Sequence, residues 1–444
     1  MDILTCTAHH PLRDGSVDLL GAVSAVTGAM TRVNCGGARF LVDAGRPQGA
    51  DARHWRFPDR AMEIDALVLT HGHNDHVGSL PEMLARGFRK PIFGTRPTLD
   101  LAALVVADGM RLSGADPRDI DETLRQLRAL FHAVDYDAPA QGIPQFAGTF
   151  ALREAGHILG SASVEFRSAE SRVICSGDLG RPGTPLLRDP NRAWASDAPA
   201  DVVVLESTYG DSDHGHVTAE LADRLQDVVL RALKDGGHIL VPAFAIGRTQ
   251  TLLYLFNELV ESGRIPRIPV AVDSPMGLEV TELHQAHREL FDAPALAKLA
   301  AHDNPLDFKN LYAVRRTADS FRIHEVRESM LVIAGSGMCT GGRIVNHLKA
   351  LLPRPETCVL FVGYQADGTP GRRIQDAART HATVQLDGAD VPVRAAVETL
   401  PGMSAHADRS ELRAWLSAIP RVQRVALHHG EPGAQRALAE FLQR

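Results

Sequence analysis

Between residues 71 and 76 the chain reads His-Gly-His-Asn-Asp-His. Imidazole and carboxylate are the ligands that a borderline-soft divalent cation such as zinc takes. An apolar run, Ala66-Leu67-Val68-Leu69-Thr70, stands immediately before the turn and reads as a buried strand. Alternate side chains of an extended backbone share a side, so His71 and His73 point the same way, while Asp75 and His76 can serve a second position beside them. A single turn can therefore begin two metal sites. Four residues cannot complete two coordination shells, which predicts further His and acidic residues at the ends of other strands. Asp43 closes Arg39-Phe40-Leu41-Val42-Asp43, His157 lies in Ala155-Gly156-His157-Ile158-Leu159-Gly160-Ser161, and Asp178 follows Val173-Ile174-Cys175-Ser176-Gly177. Taken singly, each of these three reads more simply as a turn former or a satisfied polar residue.

These positions need a scaffold of strands. Short apolar runs such as Ala38 to Gly45, Ser163 to Arg167 and Arg172 to Asp178 dominate the first 200 residues, with helical stretches between about Pro97 and Phe131. After Thr208 the texture changes. Leu221, Leu225, Val228, Val229 and Leu233 mark a helical face that Gly236-Gly237 stops, and strand His238 to Ala243 follows. Helix and strand then alternate as far as Val362, the pattern of right-handed crossovers in a mainly parallel sheet. From about Val391 strands return, followed by helices around Ser410 to Ala418 and from Pro432. The simplest account is a discontinuous domain interrupted by an α/β insert.

With 444 residues, 44% hydrophobic and 23% charged, the chain is ordinary globular material and excludes the disordered and fibrous classes. Its five cysteines, Cys6, Cys35, Cys175, Cys339 and Cys358, are scattered and contain no C-x-x-C pair, which counts against a disulfide framework or a cysteine zinc cage. The N-terminus has no basic and apolar leader, and no stretch approaches 18 apolar residues, so no membrane partner and a cytoplasmic location are expected. Lys and Arg number 47 against 54 Asp and Glu, a net charge of −7, which by itself speaks against a nucleic-acid partner.

The metal motif resembles that of the metallo-β-lactamase fold hydrolases. Three further segments extend the likeness over nearly the whole chain: Val204-Leu205-Glu206-Ser207-Thr208-Tyr209-Gly210, Met403-Ser404-Ala405-His406-Ala407-Asp408 and Leu427-His428-His429-Gly430-Glu431. They look like the additional motifs of the β-CASP subfamily of nucleic-acid-processing nucleases, and most like the bacterial and archaeal relatives of the cleavage and polyadenylation specificity factor endonuclease. The resemblance implies an α/β fold: a metallo-β-lactamase αββα sandwich formed by residues 1–207 and 392–444, with an inserted β-CASP α/β domain at 208–391. It implies two Zn²⁺ per chain, with Mn²⁺ or Fe²⁺ as possible substitutes. His71, His73 and His157 would hold one ion, Asp75, His76 and His429 the other, and Asp178 would bridge them. Asp43 would lie behind the ligands and orient a histidine. Asp75, Glu206 and His406 would be catalytic, His406 paired with Glu206 near the scissile phosphate. A histidine at 429, typical of RNA-processing members, favours RNA over DNA as substrate. The implied activity is a zinc-dependent ribonuclease working by two-metal phosphodiester hydrolysis, endonucleolytic, with a homodimer possible since many relatives dimerise. A DNA-directed or small-molecule hydrolase of the same fold, or a non-catalytic RNA-binding scaffold, are the alternatives.

Three glycine-containing strand-to-helix loops in the insert carry arginines: Pro242 to Arg248, Gly335 to Arg343 and Gly363 to Arg372. Backbone N–H groups at such turns can hold phosphate, and glycine permits close approach. Arg248, Ser336 and Arg372 are the candidate RNA phosphate contacts, and Arg343 is expected to add local positive charge. Tyr364 could stack on a base, though packing is the plainer reading. Local charge of this kind, with two divalent cations, reconciles a net charge of −7 with RNA.

Overall fold

The computed structural model describes residues 1–49, 51–53, 55–195, 197–214, 218–400 and 402–444. The chain forms two compact units, one made of Met1–Pro182, Leu187–Asp213 and Ala405–Arg444, the other of Gly183–Leu186 and His214–Ser404.

The first unit is built on two sheets. A seven-stranded sheet runs in the order His9–Pro11, Ser16–Gly21, Met30–Cys35, Ala38–Val42, Ala66–Val68, Ile92–Gly94, Phe131–Ala133, antiparallel up to Ala38–Val42 and parallel beyond it. The six-stranded sheet has the order Asp2–Leu4, Val422–His428, Ala200–Glu206, Arg172–Cys175, Ala162–Ser168, Gly148–Glu154. Val17, Val33, Phe40 and Val42 from the first sheet and Phe150, Val164, Phe166, Val173, Val202 and Val204 from the second form one core. Phe40 and Phe166 meet across it with ring centroids 4.9 Å apart. Strand Ala200–Glu206 shows why its sequence is so uniformly apolar. Val202 and Val204 face that core, while the intervening Val203 and Leu205 pack with Leu412, Trp415, Leu416 and Leu438 of helices Arg409–Ser417 and Pro432–Gln443. A strand covered on both faces loses the polar alternation of a half-exposed one.

The strand ends position the chemistry. Arg172–Cys175, Ala200–Glu206 and Val422–His428 run parallel, with Cys175 beside Val204 and Glu206 beside His428, so Asp178, Glu206 and His429 emerge at one edge. Ala38–Val42 and Ala66–Val68 also run parallel and deliver Asp43 and the 71–76 turn. His406 precedes helix Arg409–Ser417, whose start is fixed by a reciprocal cap between Asp408 and Glu411.

The second unit contains a six-stranded sheet in which every pairing is parallel, ordered Leu311–Ala313, Val270–Asp273, Leu331–Ala334, Ile239–Pro242, Cys358–Phe361, Ala396–Thr399, together with an antiparallel hairpin of Thr383–Leu386 and Ala389–Pro392. Helices Thr218–Lys234, Arg248–Glu261, Arg343–Leu351 and Pro370–Ala378 alternate with these strands, as the hydrophobic spacing predicts for the insert. Leu240, Val332, Val359 and Phe361 pack with Ile344, Leu348, Leu351 and Ile374 of two of those helices. Among the described residues no helix is long and apolar enough to cross a membrane.

Candidate metal centre

The 71–76 turn leaves strand Ala66–Val68 through Leu69 and Thr70, and its second half becomes the short helix Asn74–Val77. The change from extended to helical backbone at His73 is what parts the ligands into two groups. His71, His73, His157 and Asp178 offer donor atoms that all lie within 4.8 Å of one another, and so do Asp75, His76 and His429. In the first group Nδ1 of His73 is 3.1 Å from Nε2 of His71 and 3.3 Å from Nε2 of His157. In the second Nε2 of His429 is 3.3 Å from Nε2 of His76 and 3.4 Å from Oδ2 of Asp75. Asp178 stands between the groups. Its Oδ2 is 3.5 Å from His71 and 3.7 Å from His157, and its Oδ1 is 3.4 Å from His76 and 3.6 Å from His429.

This donor set fits divalent cations. Oδ1 of Asp178 is buried with no hydrogen-bond partner among the described residues, an arrangement that is expensive for a carboxylate unless a cation faces it. Burial holds His71 and His157 well below the ordinary imidazole value and brings His73 down to about 4, so all three present lone pairs at neutral pH. Several lone pairs converging on one point have no good hydrogen-bonding solution among themselves; a cation supplies one.

The far ring nitrogens are anchored separately. Oδ2 of Asp43 accepts from Nδ1 of His76 at 2.8 Å, which leaves Nε2 as the atom facing the cluster. The same carboxylate accepts from the Thr70 backbone N–H at 2.8 Å and the Thr70 hydroxyl at 2.7 Å, and that hydroxyl is 3.1 Å from Nδ1 of His71. Asp43 thus reaches one histidine directly and another through Thr70. His157 donates from Nδ1 to the Ala405 carbonyl at 3.1 Å, and Nδ1 of His429 is 3.1 Å from the Thr208 hydroxyl. Asp43 and His429 both adopt left-handed backbone, φ 64° and 52°. That conformation costs roughly 1–2 kcal/mol, and the bonds just described hold it in place.

His406 and Glu206 form a second arrangement beside the first. Nδ1 of His406 is 3.3 Å from Oε1 of Glu206 and 3.9 Å from Oδ2 of Asp178, and the imidazole is 21% exposed. Glu206 is buried and its Oε1 accepts from the Leu179 backbone N–H at 2.6 Å, so the carboxylate cannot swing away. Burial pulls the His406 imidazole down, but the Glu206 charge and hydrogen bond outweigh it and raise the group to about 9. A protonated imidazole, steered by a fixed carboxylate and partly open to solvent, is equipped to give up a proton.

Three family descriptions match consecutive stretches: Metallo-beta-lactamase superfamily over residues 30–235, Beta-Casp domain over 249–374, and Zn-dependent metallo-hydrolase RNA specificity domain over 390–444. The chain is 36% identical over 427 residues to a protein named Ribonuclease TTHA0252 from Thermus thermophilus, covering 95% of this chain and 94% of that one. The chain belongs to the β-CASP metallo-β-lactamase family. This β-CASP protein is a metal-dependent hydrolase, and the paired His and Asp clusters are where a divalent cation fits. It is also similar to archaeal proteins named Transcription termination factor FttA, 33% identical over 397 residues in Pyrococcus horikoshii and 30% over 429 in Methanocaldococcus jannaschii. It matches 86% of this chain to 59% of the former, and 94% to 67% of the latter.

The β-CASP insert places the remaining sequence candidates in the second unit, where each already has a partner. Arg248 donates to the Val362 carbonyl at 2.5 Å. The Ser336 hydroxyl accepts from the Thr340 backbone N–H at 2.9 Å, and Arg372 is paired with Asp376 at 3.1 Å and Asp367 at 3.0 Å. Arg343 differs most from expectation. It bonds Asp273 at 2.5 Å and the Val314 and Arg315 carbonyls at 2.8 and 2.7 Å, so its charge is spent inside the unit. Sequence reasoning passed over Thr70, Thr208 and the Ala405 carbonyl. Their signal was position alone, each being adjacent or next-but-one to a motif residue.

Proposed function

We propose that the protein is a zinc-dependent ribonuclease that hydrolyses RNA phosphodiester bonds by a two-metal mechanism and cuts within the strand, in RNA processing or decay. The observation that carries this reading is Asp178, a buried carboxylate with one oxygen toward each of two complete sets of His and Asp donors. The name of the Thermus relative and the RNA specificity description over 390–444 favour RNA as substrate.

On this reading His71, His73 and His157 would hold one Zn²⁺, Asp75, His76 and His429 the other, with Asp178 serving both sets. The ions, once bound, lower the pKa of water and neutralise charge on the phosphate. Everything else falls to the protein. Asp43 and Thr70 fix His76 and His71, while Ala405 and Thr208 fix His157 and His429, so the donors are oriented before any ion arrives. Asp75 also aligns the attacking water. His406 carries the proton for the departing ribose oxygen and Glu206 keeps Nδ1 protonated and Nε2 turned outward. Arg248, Ser336 and Arg372 contact the phosphates of the flanking strand. The insert at 208–391 and the metal domain at 1–207 and 392–444 divide substrate holding from cutting.

Purified protein incubated with 5′- and 3′-labelled RNA tests the proposal. Internal cuts are expected, lost on adding EDTA and lost in His73→Ala and Asp75→Ala. Cutting that survives both would overturn it, and stable cleavage of single-stranded DNA at an equal rate would overturn the substrate assignment.

A further inference from the structure

Large apolar side chains are exposed at only a few places among the described residues, and two of these lie on adjacent loops of the second unit: Phe244, 42% exposed, and Tyr364, 64% exposed. Strands Ile239–Pro242 and Cys358–Phe361 pair in parallel, so the segments that follow them, carrying Phe244 and Tyr364, leave the sheet side by side at its carboxyl edge. In open parallel sheets this edge is where ligands bind. Isolated exposed apolar residues need no explanation, but a pair on adjacent loops at that edge does.

The loops under these rings are braced. Arg248, just beyond Phe244, donates to the Val362 carbonyl, two residues before Tyr364. Gln365, the neighbour of Tyr364, donates to the Gly337 carbonyl at 3.0 Å, and the Gly371 N–H donates to the Met338 carbonyl at 3.1 Å. Gly337 leaves room for Phe244: a Cβ there would stand 2.8 Å from the ring. The third loop of this edge, 335–343, is thereby tied to both. Ala243 and Ile246 on either side of Phe244 are buried, as is Gln365 beside Tyr364. The backbone is thus fixed, and the two rings are what it leaves facing outward.

We infer that Phe244 and Tyr364 form a stacking platform for unpaired bases of a single-stranded RNA substrate. The inference rests on the ribonuclease reading and adds the form of the substrate and the residues that hold its bases. Aromatic faces accept every base, so the platform selects unpaired strands without selecting sequence; a duplex buries those base faces against each other. It is a positioning surface and takes no part in proton transfer.

The test is steady-state cleavage of a single-stranded RNA 20-mer, repeated with one abasic residue walked along it. Phe244→Ala and Tyr364→Ala are each expected to raise KM about tenfold, in line with the strength of one base stack, with kcat moved less than about twofold. Tyr364→Phe, which keeps the ring, should match the native protein. At one abasic position the native protein should lose the same factor and Tyr364→Ala should lose nothing more. Unchanged KM in both alanine variants, or a Tyr364→Ala penalty that persists at every abasic position, overturns the platform while leaving the ribonuclease reading intact. Native protein that cuts no RNA sinks both. Thermal denaturation of each variant, expected to superpose on the native curve, separates a lost stack from a lost fold.

Discussion

In the first unit, functional groups are buried facing one another: His71, His157 and Asp178 are almost wholly enclosed, and one oxygen of Asp178 has no hydrogen-bond partner among the described residues. In the second, the charged side chains that the sequence singles out are paired one by one, with Arg343 and His347 both on Asp273 and Arg372 between two aspartates. Frustration of the first kind is stable only if something is bound there, and it persists in folded proteins at sites of function. Satisfaction of the second kind makes a rigid scaffold. The contrast agrees with the proposal that chemistry lies in one unit and substrate support in the other.

Breaking the frustration should have the largest effect. Asp178→Asn keeps the size of the side chain but removes the negative charge that faces His71 on one side and His76 and His429 on the other. Metal content measured on the purified variant should fall below that of the native protein, and RNA cleavage should drop on the order of 10³-fold or more. A variant that keeps both ions and cuts normally would erase the distinction between the units. His406→Ala comes next, with an expected loss of about 10²–10⁴-fold, the usual contribution of a positioned acid or base. Metal content should not change if His406 acts on protons alone: it shares the group of Asp178 and Glu206 but belongs neither to the His71, His73, His157 and Asp178 set nor to the Asp75, His76 and His429 set. Single-turnover kinetics separates this from a binding defect.

The same contrast explains what could be read from sequence. Ligands 71 to 76 come from one short segment, and their residue types alone mark them. His157, Asp178 and His429 were individually ambiguous, since what joins them is the alignment of strand ends in the six-stranded sheet, which pairs Cys175 with Val204 and Glu206 with His428. Helices such as Thr218–Lys234 were legible because their apolar spacing repeats locally. Arg343 was misjudged as free charge because its partner Asp273 is 70 residues away, a distance no local pattern spans. The pairing of Arg372 with Asp376, by contrast, lies at helical spacing and was open to inspection. Exposure of Phe244 was invisible, since an aromatic inside the apolar run Ala243 to Ile246 reads as core.

Stability should respond most at the paired charges inside the second unit. Asp273 is fully buried and accepts from His347 at 2.6 Å, from Arg343 and from the Ser320 hydroxyl. Burial raises its carboxyl, but those three hydrogen bonds prevail and hold it below the usual carboxylate range. Asp273→Asn leaves a buried guanidinium and imidazole without their anion and should cost about 3–5 kcal/mol. A depressed folded value contributes stability above the ordinary carboxylate pKa of about 3.9, and that contribution disappears as pH falls from there through the folded value. The melting-temperature gap between native protein and variant should therefore be constant from about pH 7 to 5 and narrow below about pH 4. A gap that widens in acid would mean the network does not depend on the charged carboxylate.

The smallest effect sharpens the division at its margin. Arg372 is exposed, and Asp367 and Asp376 compete with any phosphate for its guanidinium. Pairs of this kind are worth little to folding, so Asp367→Asn combined with Asp376→Asn should leave the melting curve in place. RNA affinity at low salt should nevertheless rise about threefold, because two repelling carboxylates are gone and a fork of donors is released. If Arg372 then takes a backbone phosphate, the slope of log K against log salt should steepen by about 0.7, the counterion release for one contact on a single strand. An affinity gain without a steeper slope would assign the carboxylates a general repulsive role and remove Arg372 from the phosphate contacts; neither change would mean that the strand runs elsewhere on the unit.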